Sequence, residues 1–106
     1  MRVLFDQGTP KPLRRALQGH EIETAYERGW STLGNGDLIA QAEATGFDIL
    51  LTTDRQLRYQ QNLSQRRLAI VVLTTTQLPR IRAATSLIQY ALDRAEPCSY
   101  AEVEIP

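Results

Sequence analysis

Three aspartates stand where a carboxylate could take part in chemistry. Asp6 and Asp54 each end a short apolar run, and Asp37 stands where a helix is predicted to begin. In an open α/β sheet, ligands bind in the crevice outside the carboxyl ends of the strands, so acids delivered there by separate segments can converge. The spacing therefore predicts a divalent-metal site formed by Asp6, Asp37 and Asp54.

The negative charges of three clustered aspartates repel one another. At about 5 Å and an effective dielectric constant near 20, each like-charged pair costs roughly 3 kcal/mol. The acids therefore need a cation, a raised pKa or a neighbouring guanidinium. Mg²⁺ or Mn²⁺ is the natural partner, because hard cations take oxygen ligands. An ion of this kind can activate a water molecule and stabilise phosphoryl oxygens.

Each aspartate also has a purely structural interpretation. Asp37 would be favoured by the helix dipole whether or not it does chemistry. Asp54 could cap the segment that follows it, since aspartate is a preferred N-cap residue. Asp6 could support the turn before the next helix, although Thr9 or Lys11 is better placed to cap that helix, because a proline follows each of them.

The strands that would position these acids are predicted from apolar runs. Val3–Phe5 is a short strand that stops at Asp6, and residues 49–53 form a continuous run typical of a strand buried on both faces. Residues 68–73 form the most strand-like segment of the chain, and residues 20–25 alternate polar and apolar side chains as a further strand would. A mainly parallel sheet is therefore expected.

Helices are predicted between these strands. The first passes through Leu13 and Leu17 and ends at Gly19, and the second covers residues 37–45 and is closed by Gly46. Apolar residues at three- to four-residue spacing predict one long amphipathic helix over residues 77–94, with its proline tolerated in the first turn. Alternating strands and helices indicate a three-layer α/β/α domain whose sheet has four strands, or five.

Length and composition are consistent with one domain. The chain has 106 residues, of which 42% are hydrophobic, which is enough for one core and too little for two. We assign the domain to residues 1–94 and a polar C-terminal tail to residues 95–106, an arm rather than part of the core. The single cysteine, Cys98, favours a reducing compartment, and no apolar run approaches a membrane span. We therefore expect a soluble, cytoplasmic protein that does not contact a membrane.

The formal net charge is zero, so the overall charge of the protein does not indicate nucleic-acid binding. A local patch could still grip a nucleic-acid backbone, because guanidinium groups suit phosphate. The candidate residues for this contact are Arg14, Arg15, Arg55, Arg58, Arg66 and Arg67. Tyr59 could stack on an unpaired base. The alternative is that these arginines simply form a solvated surface.

Several of these features together resemble a known family. A strand ending at Asp6 with Pro10 after it, Gly19-His20 before a second strand, Asp37 at a helix start and the run LLTTD ending at Asp54 are similar to a compact PIN-like domain. The family consists of small prokaryotic proteins related to the toxin ribonucleases of toxin-antitoxin pairs. The resemblance covers residue 1 to about residue 92.

The resemblance implies a parallel sheet with helices on both sides and acids that bind Mg²⁺ or Mn²⁺ to cleave single-stranded RNA. Asp6, Asp37 and Asp54 match the family's acids one by one, and both a homodimer and a small antitoxin-like partner protein are expected. Two positions depart from the pattern. Many relatives have a second acid where this chain has Gln7, and another where it has Gln56.

Three hypotheses about function follow. The first is a metal-dependent ribonuclease of PIN type, the toxin half of a two-gene module. The second is a non-catalytic PIN-like module that binds RNA or protein after losing part of the acidic site. The third is a phosphoacceptor signalling domain with Asp54 as the acceptor, which is disfavoured because Gln7 follows Asp6 and no lysine follows the last strand.

Overall fold

The computed structural model of the protein describes residues 1–57 and 66–106. Its centre is a five-stranded sheet in which all neighbouring strands are parallel. The strands are β1 (Arg2–Phe5), β2 (Glu21–Thr24), β3 (Ile49–Thr52), β4 (Ala69–Leu73) and β5 (Tyr100–Val103). They are ordered β2-β1-β3-β4-β5 across the sheet. The expected mainly parallel sheet is thus confirmed, with five strands.

Helical segments connect the strands. A 3₁₀ helix (Lys11–Ala16) lies between β1 and β2, and α1 (Asn35–Ala44) lies between β2 and β3. Two short helices, α2 (Leu78–Ala83) and α3 (Thr85–Asp93), lie between β4 and β5. Within residues 1–57 and 66–106, no helix has the length and apolar character needed to cross a membrane.

Apolar side chains cover both faces of the sheet, because successive residues of a strand point to opposite sides. On one face, Val3 and Phe5 of β1 pack in a cluster with residues of the 3₁₀ helix, α2 and α3. On the other face, Leu4 packs with residues of α1. All residues of β3 and β4 are buried, as expected for central parallel strands. The molecule is therefore an α/β domain with helices on both sides of its sheet.

The strand order creates a switch point between β1 and β3. From β1 the chain runs outward to β2 at one edge and then returns to β3 on the opposite side of β1. The next strand in sequence after β1 thus lies on one side of this point, and the next strand after β3 lies on the other side. In open α/β sheets, the region outside the carboxyl ends of the strands at such a switch point is the usual place for a ligand.

Two expectations about the C-terminal third need correction. The helix expected over residues 77–94 is two helices, interrupted at Ala84, whose backbone leaves the helical region (φ −109°, ψ 21°). The Thr85 hydroxyl donates to the Arg82 carbonyl (2.8 Å), and such local bonds compete with regular helix. Residues 95–106 are not an arm outside the core, since they supply β5, which pairs with β4, and the buried side chain of Ile105.

Candidate functional site

Asp6 is the first residue after β1 and lies at the switch point. The Thr9 hydroxyl donates to its Oδ1 atom (2.6 Å), and the Thr52 hydroxyl donates to its Oδ2 atom (2.5 Å). Thr9 also bonds to the carbonyl oxygen of Leu51 in β3 (2.9 Å). Both carboxylate oxygens are therefore held by hydroxyl groups, one from the loop after β1 and one from the end of β3.

The surroundings of Asp6 oppose its charge. Burial raises the pKa of the Asp6 carboxyl, and the hydrogen bonds from Thr52 and Thr9 lower it by less than burial raises it. None of the ion pairs among the described residues includes Asp6. A desolvated carboxylate without a cationic neighbour would be stabilised by a bound cation.

Asp54 follows β3 at the same edge of the sheet. Asn35, the first residue of α1, donates through Nδ2 to Asp54 Oδ2 (2.7 Å). The backbone amide of Gln56 donates to Oδ1 (2.9 Å). This second bond confirms that Asp54 caps the turn after it, as the structural interpretation held. The bond from Asn35 goes further, because it ties the carboxylate to a different part of the chain.

Thr52 joins the two acids. Its hydroxyl donates to Asp6 and accepts a hydrogen bond from the backbone amide of Asp54 (3.0 Å). Thr52 is fully buried, so this hydroxyl has no solvent to replace a lost partner. The positions of Asp6 and Asp54 are therefore coupled through a single side chain.

The loop after β1 lies tightly against the end of β3. A Cβ atom placed on Gly8 would come within 2.6 Å of Thr53 Oγ1, which is closer than side chains in proteins approach one another. Only glycine allows this contact without a shift, so the absence of a side chain here brings the two loops together. A crevice of about 300 Å³ lies on the β2 side of this loop and is lined by Asp6, Gln7, Gly8, Thr9, Pro10, Lys11, Thr24 and Tyr26.

Asp37 does not join this arrangement. It lies in the first turn of α1, two residues after Asn35, and its side chain is exposed. Its carboxylate makes no hydrogen bond or ion pair with the residues that the structure describes. In that part of the chain, no three histidine, cysteine, aspartate or glutamate side chains form a group that could hold a metal ion. The structure thus brings together two of the three predicted acids.

The residues predicted to contact nucleic acid differ in their surroundings. Arg14 points its guanidinium at Glu27 and donates two hydrogen bonds to that carboxylate (2.8 and 3.0 Å). Arg55 is exposed beside Asp54. Arg58 and Tyr59 lie outside the described residues. Phosphate binding by Arg14 would therefore compete with the two hydrogen bonds between its guanidinium and Glu27.

The chemistry of the acid pair fits a hard divalent cation. Mg²⁺ is commonly held by one or two carboxylates while waters and substrate phosphates complete its coordination. Asp6 and Asp54 would supply those carboxylates, and the Asn35 amide nitrogen would help to orient the carboxylate of Asp54. The partly buried carboxylate of Asp6, which has no ion pair among the described residues, is the group that a cation would stabilise.

Sequence reasoning missed the polar residues that orient the acids. Thr9 is a candidate helix cap in the sequence, but the 3₁₀ helix begins at Lys11 with Pro10 as its N-cap residue and no side-chain cap, and the Thr9 hydroxyl donates to Asp6 instead. Thr52 read as part of an apolar, β-favouring run. Asn35 read as part of a loop. The sequence does contain one indication of this arrangement, because Thr52, which carries a hydroxyl group, lies two positions before the strand-end acid Asp54.

No protein-family model, curated protein or solved structure matches this chain.

Proposed function

We propose that this protein is a Mg²⁺- or Mn²⁺-dependent ribonuclease of PIN type whose site is centred on Asp6 and Asp54. The observation that carries the proposal is the hydrogen-bonded connection Asp6–Thr52–Asp54 at the β1/β3 switch point. Acids at the carboxyl ends of two adjacent parallel strands are where an α/β sheet binds its ligand. The resemblance to PIN-like domains supplies the reaction, hydrolysis of single-stranded RNA.

The residues of the site have distinct parts in this proposal. Asp6 and Asp54 hold the cation, and Thr9, Thr52 and Asn35 fix the orientation of their carboxylates. When bound, the cation supplies electrostatic stabilisation of phosphoryl oxygens and lowers the pKa of a coordinated water. The raised pKa of Asp6 means that a proton and a cation compete for the same oxygens, so cation affinity falls as the pH is lowered.

Metal binding is tested by thermal unfolding with and without millimolar Mn²⁺. A ligand that binds only the folded state stabilises it by RT ln(1 + [L]/Kd), so we expect the wild-type protein to melt at a higher temperature with Mn²⁺. Asp54→Asn should lose most of this rise, because the amide keeps the size of the carboxylate and removes its charge. Glu96→Gln is the matched control, since Glu96 is exposed and precedes β5 at the opposite end of the sheet.

Activity is tested by incubating single-stranded RNA with the wild type and the same two variants. We expect cleavage by the wild type and by Glu96→Gln in the presence of Mn²⁺, and none by Asp54→Asn or in excess chelator. Asp37→Asn separates the two-acid site from the three-acid expectation. If Asp37 completes the site in the presence of RNA, Asp37→Asn should also lose cleavage, whereas a site of Asp6 and Asp54 alone leaves it active.

A non-catalytic PIN-like module is the second candidate function. The observation that favours it is the absence of a group of three potential metal-ligating side chains among residues 1–57 and 66–106, together with Gln7 and Gln56 at positions where many relatives carry acids. If the wild-type protein shows the same melting temperature with and without Mn²⁺ and does not cleave RNA, that result would favour this function over the ribonuclease.

Assembly with a second copy or with a small antitoxin-like protein remains part of the proposal. The outward face of α3 exposes Leu87 and Tyr90, whose exposed fractions are 47% and 61%. These two side chains lie one helical turn apart, and we place the contact with the partner there. Light scattering at micromolar concentration tests the homodimer, and co-purification with the product of a neighbouring gene tests the heteromeric complex.

A further inference from the structure

Cationic side chains gather on the surface beside the crevice. Lys11, Arg14 and Arg15 of the 3₁₀ helix and Arg82 of α2 line one hollow of about 320 Å³. Arg15 and Arg82 also line the adjoining hollow, together with Pro12, Ala16 and Thr85. The two hollows share residues, so they form one continuous surface between the 3₁₀ helix and the start of α3.

The charge of this surface is not balanced from within. Glu27 is the one carboxylate paired with these cations in the described part of the chain, and it is shared by Lys11 (3.4 Å) and Arg14 (2.8 Å). Arg15 and Arg82 are exposed, and neither side chain has an ion pair or hydrogen bond to a described residue. Their guanidinium groups are therefore free to bind phosphate, which a planar guanidinium can contact with two parallel hydrogen bonds.

This surface continues into the acid site. Lys11 lines both the cationic hollow and the crevice that contains Asp6. Tyr26 lies on the wall of the same crevice and is 76% exposed, the most exposed of the large hydrophobic side chains in the described residues. An exposed aromatic ring next to a cationic surface provides a stacking platform for an unpaired base.

We propose that Tyr26, Lys11, Arg15 and Arg82 form a basic track that binds single-stranded RNA and leads it to Asp6. Arg15 and Arg82 contact backbone phosphates, and Tyr26 stacks on a base near the crevice. The direction toward Asp6 rests on the proposed ribonuclease function, whereas RNA binding by the track does not need the metal. A single strand is specified because Tyr26 requires a base that is not paired.

The test measures RNA binding without cleavage. Fluorescence anisotropy with a labelled single-stranded RNA of about 12 nucleotides, within the range that one small domain covers, is followed in excess chelator over a series of salt concentrations. The variants are Arg15→Gln/Arg82→Gln and Tyr26→Ala. Arg94→Gln is the control for charge, because Arg94 is exposed, follows α3 and precedes β5 at the opposite end of the sheet.

The two kinds of variant should fail in different ways. Loss of two phosphate contacts should reduce the slope of log K against log salt by about 1.4, since each contact to a single strand contributes about 0.7. Tyr26→Ala should weaken binding by about fivefold or more and leave the slope unchanged, because stacking releases no counterions. Arg94→Gln should match the wild type in both quantities.

Several results would overturn the track. One is a loss of affinity per arginine removed that is as large in Arg94→Gln as in Arg15→Gln/Arg82→Gln, which would mean a response to net charge alone. Another is wild-type affinity that is no greater for the single strand than for a duplex of the same length. A third is a wild-type protein that does not bind the labelled RNA at low salt, which would leave an acidic protein surface as the partner of these cations.

Failure of the track and failure of the ribonuclease function are distinguishable. If the track is wrong and the metal site is right, Arg15→Gln/Arg82→Gln binds RNA as the wild type does, and Asp54→Asn still loses the Mn²⁺-induced rise in melting temperature. If the metal site is wrong and the track is right, Asp54→Asn and the wild type respond alike to Mn²⁺, and the double variant still loses RNA affinity.

Discussion

The Thr52 hydroxyl donates a 2.5 Å hydrogen bond to Asp6 Oδ2 across the boundary between β3 and β1. The Thr52 hydroxyl oxygen also accepts a hydrogen bond from the backbone amide of Asp54 (3.0 Å). Because Thr52 is fully buried, its rotamer is fixed by packing and by these two bonds rather than by solvent. A single side chain therefore sets the geometry of the carboxylate on one strand and the start of the loop on the next.

Thr52→Val should destabilise the protein by roughly 1–3 kcal/mol. Valine keeps the shape of threonine and removes the hydroxyl, so Asp6 loses a donor and the amide of Asp54 loses its acceptor in a buried place. Urea unfolding at neutral pH measures the difference in free energy. Thr52→Ser retains the hydroxyl and should lose less stability than the valine variant; the reverse order would show that the methyl group, and not the hydrogen bonds, matters at this position.

Asp6 should make the metal-free protein less stable as the pH rises from acid values. Its folded-state pKa is raised above the ordinary 3.8, chiefly by burial, so between these two pKa values the folded state binds more protons than the unfolded state. Stability then falls with increasing pH through that window. Subtracting the pH profile of Asp6→Asn from that of the wild type isolates this contribution. A difference that grows in favour of the wild type with increasing pH would contradict the raised pKa.

Glu27 should contribute in the opposite sense. Its pKa is lowered from 4.5 to about 2, first by the hydrogen bonds from Arg14 and next by the backbone amide of Thr24. The carboxylate is therefore favoured in the folded state, and its contribution is present above pH 4.5 and lost as the pH falls toward 2. Wild type and Glu27→Gln should differ in stability at neutral pH and converge in acid. Glu104→Gln, at an exposed position, should show no such convergence.

The sheet and the strand-end acids could be predicted from the sequence, whereas the polar residues around them could not. Short apolar runs ending in aspartate identify β1 and β3 because burial on both faces requires continuous hydrophobicity. Strand β5 escaped prediction because its residues are partly or fully exposed, and it is held at the sheet's edge by backbone pairing with β4. Backbone pairing leaves no hydrophobic pattern in the sequence.

The hydroxyl bonds of the site escaped prediction for a different reason. Thr52 and Asp6 are separated by 46 residues, so the local sequence around either residue does not predict a contact with the other. The helix expected over residues 77–94 failed because apolar spacing alone does not detect the break at Ala84, where the same buried face continues from α2 into α3. Periodicity reports which face is buried and does not report a local change of backbone.

Gly8→Ala should destabilise the protein by about 1–3 kcal/mol, the usual cost of forcing an extra methyl group into a close contact. The new Cβ atom would lie 2.6 Å from Thr53 Oγ1, and a threonine has few alternative χ1 rotamers with which to move away. If that contact is the cause, Thr53→Ala should make room for the methyl group. The double variant Gly8→Ala/Thr53→Ala should then be more stable than the sum of the two single changes predicts, with a coupling energy of roughly 0.5–3 kcal/mol.

The same pair of variants also tests whether this close approach maintains the site. Displacing the loop after β1 moves Asp6 and Thr9, so Gly8→Ala should reduce the Mn²⁺-induced rise in melting temperature, and adding Thr53→Ala should restore part of it. Additive effects on stability would mean that the contact with Thr53 is not the cause of the cost of Gly8→Ala and that it does not position Asp6. If the two substitutions have non-additive effects on stability but the response to Mn²⁺ is unchanged, Gly8 matters for folding and not for the metal site.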